Sequence, residues 1–296
     1  MKKVFLAVVA AVGILTGCTT QTDVVQSEVH GDYTQYVNPL MGTQSSFELS
    51  TGNTYPAIAM PWGMNFWTPR TNKIGDGWQY TYTANKIYGF EQTHQPSPWI
   101  NDYGQFSLMP VTGEVEMDEK KRASWFSHKG EVALPHYYKV YLAEYDVVTE
   151  MAPTERASMF RFTFPDADSY VVVDAYDRGS SIKVIPEENK IIGYTTRNSG
   201  GVPENFKNYF VVVFDKPFTY KATFSNDVKP AKPDATVPVT LKEGQLEQTN
   251  FHTGAVIGFK TQKGEKVHAR VASSFISPEQ AELNLKELGN DTFDTV

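Results

Sequence analysis

His94, Trp99 and Asp102 fall within nine consecutive residues, interleaved with Gln95, Pro96, Pro98 and Asn101. Each proline fixes φ, lacks an N–H and biases the residue before it away from the helical region, so Gln95 to Pro98 is expected to be a stiff, extended loop. A stiff loop holds its side chains in fixed places. Trp99 then presents a large flat apolar face, while His94, Asp102, Asn101 and Gln95 can give or take hydrogen bonds around it. A sugar ring needs both, because its C–H face stacks and its hydroxyls demand partners. The same residues also fit a hydrophobic plug under a loop with a structural histidine, and composition alone does not separate the two. The whole segment from Gly89 to Gly104 reads as irregular, bounded by its two glycines and reached from Gly77-Trp78-Gln79-Tyr80.

What must position that loop is a set of strands. Tyr137–Leu142, Phe160–Phe164, Tyr170–Tyr176, Ile191–Tyr194, Tyr209–Phe214, Ala255–Phe259 and Val267–Val271 are short, rich in β-branched and aromatic residues, and separated by turn signals such as Glu187-Glu188-Asn189 and Lys263-Gly264-Glu265. Tyr170–Tyr176 and Tyr209–Phe214 are nearly continuous apolar runs, as strands buried on both faces should be. Gln105–Val111 and Met64–Thr68 read as further strands. The fold expected is all-β, a large antiparallel sandwich of stacked sheets. Residues 227–248, with Pro and Lys, read as an exposed insertion. One helix is expected near the end: Ser277 as N-cap, Pro278 at the first helical position, Gln280 closing a capping box, Ala281, Leu285 and Leu288 on one face, and Gly289 as the stop.

The start of the chain reads as an export signal. Lys2 and Lys3 precede an apolar run from Val4 to Leu15, and Leu15-Thr16-Gly17-Cys18 looks like a lipobox. Cys18 is the only cysteine in the chain, which fits a lipid-modified residue better than a disulfide or a metal site. Residues 1–18 are therefore expected to be a lipoprotein signal and 19–32 a flexible tether, leaving an exported domain anchored at a bacterial cell envelope. Lys2 and Lys3 leave with the signal and no acid does, so 27 basic against 34 acidic side chains become 25 against 34, a net of −9. No Lys/Arg cluster stands out, so nucleic acid is not an expected partner.

Three ordered blocks carry a resemblance. Val37-Asn38-Pro39-Leu40-Met41-Gly42-Thr43 opens the first, Tyr55-Pro56-Ala57 through Pro61-Trp62-Gly63-Met64 makes the second, and Gly89-Phe90 with Thr93-His94 and Gly104 makes the third. In this order and spacing they resemble the N-terminal domain of glycoside hydrolase family 92, calcium-dependent exo-acting α-mannosidases. The resemblance implies a sandwich domain over 33–276. It implies a linker helix over 277–296 toward a helical barrel domain, which carries the catalytic acid and base and is absent from these residues. It also implies mannose-containing glycans as ligand, with Trp99, His94 and Asp102 at the sugar, and Trp78 lifted toward Trp99 by the turn Gly75-Asp76-Gly77. Arg156 in Thr154-Glu155-Arg156 is expected to brace loops, and Trp62, between Pro61 and Gly63, to serve packing.

Inversion needs one carboxylic acid and one carboxylate about 6.5–9.5 Å apart. Glu91 and Asp102 are the one local pair conceivable, and the family places catalysis elsewhere; no catalytic residue and no metal ligand is assigned in these residues. His136, His252 and His268 lack metal-like spacing, and Asp174, Asp177 and Arg178 read as a charge cluster at a solvated or salt-bridged strand end. A different class of protein fits the same residues: a complete carbohydrate-binding surface lipoprotein rather than a truncated enzyme.

Overall fold

The computed structural model describes residues 32–44, 54–72, 79–94, 103–198, 200–229 and 237–296, and the compact unit is Thr34–Val296. Cys18 and the proposed signal and tether through residue 31 lie outside the described residues.

Two antiparallel sheets stack face to face. In spatial order the seven-stranded sheet runs Phe66–Arg70, Gly89–Thr93, Ser107–Thr112, Ala167–Asp174, His252–Thr261, Tyr220–Asn226, Thr240–Glu243. The nine-stranded sheet runs Glu247–Asn250, Ser180–Ile185, Lys190–Thr195, Asn208–Phe214, Glu265–Ser274, Ala157–Phe164, Val147–Pro153, Tyr137–Leu142, Val132–Leu134. Aromatic contacts cross between them: Phe106 stacks on Phe210 at 4.4 Å, and Trp67 meets Phe160 edge-on at 4.8 Å. The expected all-β sandwich is what forms.

The apolar runs behave as their composition requires. Val171, Val172 and Val173 are wholly buried, because their strand is central and has a neighbour on each side, with Val172 opposite Val256 on one and Met109 on the other. Tyr137–Leu142 buries alternate residues, Tyr138, Val140 and Leu142, as a strand with one wetter face does. Pro69 is tolerated because Phe66–Arg70 lies at a sheet edge, where a missing donor breaks no long ladder. The stretch read as an insertion is partly built into the sheets, since Thr240–Glu243 and Glu247–Asn250 form an edge strand of each.

The C-terminal helix, Pro278–Leu285, is capped as expected by the Ser277 side chain, which accepts from the Gln280 N–H. Gln280 does not complete a capping box; its amide turns down the helix to donate to Asn284 Oδ1 at 2.9 Å. Ala281, Leu285 and Leu288 pack on Val211 and Ala272, so the helix lies against the outer face of the nine-stranded sheet. Two arginines then hold the residues after it: Arg270 donates to the Gly289 and Asp291 carbonyls at 2.6 Å each, and Arg161 pairs with Asp294 at 2.7 Å while lying over the Phe293 ring.

Trp62 departs from expectation. Its side chain is 100% exposed and its φ is +63°. The turn around it is fixed by Gly63 N–H on the Met60 carbonyl and Met64 N–H on the Glu155 carbonyl, and that turn aims the indole outward; flanking Pro and Gly do not determine which way a side chain points. Trp62→Ala is therefore expected to move stability by no more than about 0.5 kcal/mol, where a core tryptophan would lose about 3–5. Trp62→Gly should gain up to about 1 kcal/mol, because relief of left-handed strain, roughly 1–2, exceeds the entropic cost of glycine, roughly 0.5–1. Urea unfolding midpoints of both variants check this; a fall matching a core residue would mean that the indole is packed.

Candidate functional site

The segment read as an irregular loop is only partly one. Gly89–Thr93 is a strand with every residue buried, between Phe66–Arg70 and Ser107–Thr112. Its polar side chains find partners inside: Gln92 donates to Asn65 Oδ1 at 2.7 Å and Thr93 bonds the Tyr55 hydroxyl at 2.8 Å. Trp78, Trp99 and Asp102 lie outside the described residues, but the places where their loops attach do not. Register pairs Arg70 with Gly89 and Phe66 with Thr93. The loop carrying Trp78 thus leaves the Arg70 end and the loop carrying Trp99 the Thr93 end, about 13 Å away along the strands. The two loops have no common base.

The return of the second loop is held tightly. Gly104 has φ +66°, its N–H donates to the Arg197 carbonyl at 2.8 Å, and its carbonyl accepts from the Asn208 amide. An added Cβ would sit 2.4 Å from Asn208 Cβ, so glycine is required there on both counts.

Among the described residues is a buried charge lattice that sequence reasoning did not find. Arg70, 1% exposed, contacts Glu91 at 3.0 Å and Glu119 at 3.0 Å, and donates to the Tyr176 hydroxyl, which bonds Ser107 Oγ at 2.6 Å. Arg122 and His252 both reach Asp174, at 2.6 and 2.7 Å. Arg197 pairs with Asp177 and approaches Gln105 Oε1 at 3.3 Å; burial pulls its guanidinium below the usual arginine range, with Asp177 opposing. Of the strand end read from sequence as solvated or salt-bridged, Asp174 and Asp177 are salt-bridged to partners elsewhere in the chain, while Arg178 is exposed and donates to the Asn198 carbonyl. The three arginines gave no local signal, since their partners are distant in the chain.

Of the predicted ligand-binding residues, His94 is described. Its Nδ1 lies 2.8 Å from the Tyr103 carbonyl, across the mouth of the loop that carries Trp99. Its ring meets Phe275 edge-on at 4.6 Å, Phe275 meets Phe206 at 5.5 Å, and Phe206 meets Tyr103 at 6.2 Å. Four rings from three segments of the chain make a ridge. On one side a cleft of about 140 Å³ is lined by His94, Met64, Arg156, Phe275, Ile276 and Gln280. On the other a larger, open cleft of about 450 Å³ is lined by Phe206, Arg178, Thr196, Asn198 and Glu204. Arg156 does brace its surroundings, bridging Glu155 and Glu287 at 3.1 and 3.6 Å. The ridge can stack on apolar ring faces, and the clefts offer donors and acceptors.

The carboxylates of the buried lattice are committed. Glu91 and Glu119 serve Arg70, Asp174 serves Arg122 and His252, and Asp177 serves Arg197. Calcium needs about six to eight converging oxygens, and among the described residues no three His, Cys, Asp or Glu side chains gather. The described residues do not fit a calcium site.

Residues 36–274 match the glycosyl hydrolase family 92 N-terminal domain. No curated protein matches. Among solved structures the chain resembles the family GH92 inverting mannosidase BT2199 from Bacteroides thetaiotaomicron VPI-5482, with 48% identity and a TM-score of 0.80 over 88% of this chain and 34% of that one. It also resembles the family GH92 α-mannosidase BT3965 from Bacteroides thetaiotaomicron, with 31% identity and a TM-score of 0.75 over 88% of this chain and 35% of that one, a protein solved also in complex with mannoimidazole. The chain spans about a third of the length of these relatives. With the family model covering most of its residues, the chain belongs to glycoside hydrolase family 92, as an N-terminal domain of that family.

Proposed function

We propose that this domain is the sugar-binding half of an exo-acting, inverting α-mannosidase that removes terminal α-mannose from N-glycans or mannans. Its own role is to supply one wall of the mannose site, with Trp99 as the apolar platform, His94 and Asp102 as hydroxyl partners, and Trp78 contributing from the separate loop that leaves the opposite, Arg70 end of the same strands. The observation that carries the reading is the ridge of His94, Phe275, Phe206 and Tyr103 at the base of the Trp99 loop. It supplies stacking surface beside the smaller polar cleft, which is what a hexose demands. Likeness to an inverting mannosidase at 48% identity supports mannose as the sugar.

The acid and base lie outside the residues described. Glu91, buried against Arg70, cannot approach a glycosidic oxygen, and Asp102 alone cannot provide the two carboxylates that inversion uses. They, and the oxygen ligands for calcium, belong to further parts of a longer protein, in a helical domain that also covers the exposed Met64 and Ile276 beside the smaller cleft. In the cell the protein is exported and tethered to the envelope through lipid on Cys18.

The purified chain, with calcium and an aryl α-mannoside, is expected to show no turnover, while saturation-transfer NMR detects weak mannoside binding. Trp99→Ala should weaken that binding about tenfold or more with an unchanged melting temperature, as loss of a stacking face does. Steady turnover by this chain would overturn the division of labour. Loss of folding along with binding would return Trp99 to the role of a plug.

A further inference from the structure

The larger cleft beyond Phe206 is not used by the mannose wall proposed above, and its construction is unusual. It is floored by the crossing from the strand Ala167–Asp174 to the strand Ser180–Ile185, where Tyr176 and Arg178 both adopt left-handed backbone, with φ +58° and +76°. Two non-glycine residues in that region within one short turn are strained by about 1 kcal/mol or more each. The surroundings enforce the conformation. Asp174 Oδ1 accepts from the Tyr176 N–H at 3.0 Å, Ser180 Oγ donates to the Tyr176 carbonyl at 2.8 Å, and Thr196 Oγ1 donates to the Arg178 carbonyl at 2.7 Å. Arg178 itself is exposed and donates through Nη1 to the Asn198 carbonyl at 2.7 Å. Its neighbour Asp177 is taken by Arg197, so Arg178 is not neutralised from within its own turn.

A guanidinium anchored by one nitrogen keeps its remaining N–H groups in a fixed fork. Glu204 faces the same cleft with acceptor oxygens, and Phe206 gives it an apolar wall. A paired donor fork, a carboxylate acceptor and an aromatic face together suit the vicinal hydroxyls and C–H face of a neutral sugar. The carboxylate of Glu204 disfavours an anionic ligand. Because Phe206 touches Tyr103 and Phe275, and Phe275 touches His94, this cleft is joined to His94 through the chain of aromatic rings.

We propose that the cleft of Arg178, Glu204 and Phe206 is a second carbohydrate subsite, which takes a neutral sugar unit of the glycan beyond its terminal mannose. This rests on the mannose-binding reading above. The test compares methyl α-mannoside with an α-linked mannotriose, titrated into the wild-type chain, Arg178→Gly and Glu204→Gln, and followed by NMR. Arg178→Gly removes the guanidinium at a position where glycine relieves strain, so loss of folding does not confuse the result, and thermal melts verify that it holds. The triose is expected to bind wild type more tightly than the monosaccharide. Arg178→Gly should weaken the triose about tenfold, the worth of a charged hydrogen bond, Glu204→Gln should weaken it less, and neither should alter methyl α-mannoside. If wild type binds both ligands and the variants change neither, or change both alike, the second subsite is overturned while the mannose reading stands. If wild type binds no mannoside, the mannose reading fails and the subsite with it.

Discussion

Asp174→Ala is expected to destabilise the domain by about 3–5 kcal/mol, among the largest effects of any single substitution. Asp174 is 1% exposed and Arg122 is not exposed at all, and their ion pair measures 2.6 Å. The other carboxylate oxygen holds His252 at 2.7 Å and the Tyr176 N–H at 3.0 Å. Truncation leaves a guanidinium buried without its counter-charge and releases the strained turn that follows. The pH dependence has a definite sign. Burial alone would raise the Asp174 carboxyl, but His252 and Arg122 outweigh it and hold the group well below the usual carboxylate range. A depressed folded value contributes stability above the unfolded value, about 3.9, and that contribution fades as pH falls below it. Urea unfolding of wild type should therefore lose stability steeply from about pH 4 downward. Asp174→Asn, less stable at neutral pH, should show a shallower acid limb. Parallel acid limbs would mean that the carboxylate is not the titrating support claimed for it.

How much of this was legible beforehand depends on where each residue's partners lie. Tyr137–Leu142 was readable to the residue, and the run at Tyr209–Phe214 to within one, because side-chain alternation and β-branching are local properties. The helix cap at Ser277 and the stop at Gly289 were readable for the same reason. Gly89–Thr93 was not, because glycine, glutamate, glutamine and threonine look like loop; what makes them a central strand is Arg70, Asn65 and Tyr55 waiting in the fold to satisfy them. The ridge was half visible. His94 was singled out from its loop, but Tyr103, Phe206 and Phe275 converge only after the sheets stack. Trp62 was misassigned because composition around a turn is silent on whether the turn faces in or out. The family itself came from ordered blocks of residues, not from any of these physical patterns.

Glu91 provides the sharpest separation between a scaffold role and a chemical one. It shares a strand with the loop that carries Trp99, and its type invites an acid or base assignment. Its geometry argues otherwise: it is fully buried, 3.0 Å from Arg70, which in turn faces Glu119 and Tyr176. Glu91→Ala is expected to cost about 3–5 kcal/mol with no sugar present, since it strips a buried guanidinium of its closest buried carboxylate. Glu119, 17% exposed, can compensate only in part, and Arg70→Met should destabilise comparably by leaving Glu91 as the unpaired buried charge. Replacing both, with Arg70→Met and Glu91→Leu together, removes the desolvation penalty from each side. The double variant should therefore be more stable than the sum of the single losses predicts, by at least about 1 kcal/mol in a urea double-mutant cycle. A catalytic carboxylate behaves in the opposite way. Its removal leaves stability level or improved and abolishes turnover, so a cycle showing additive, small losses at Arg70 and Glu91 would move Glu91 out of the lattice and back among the reacting groups.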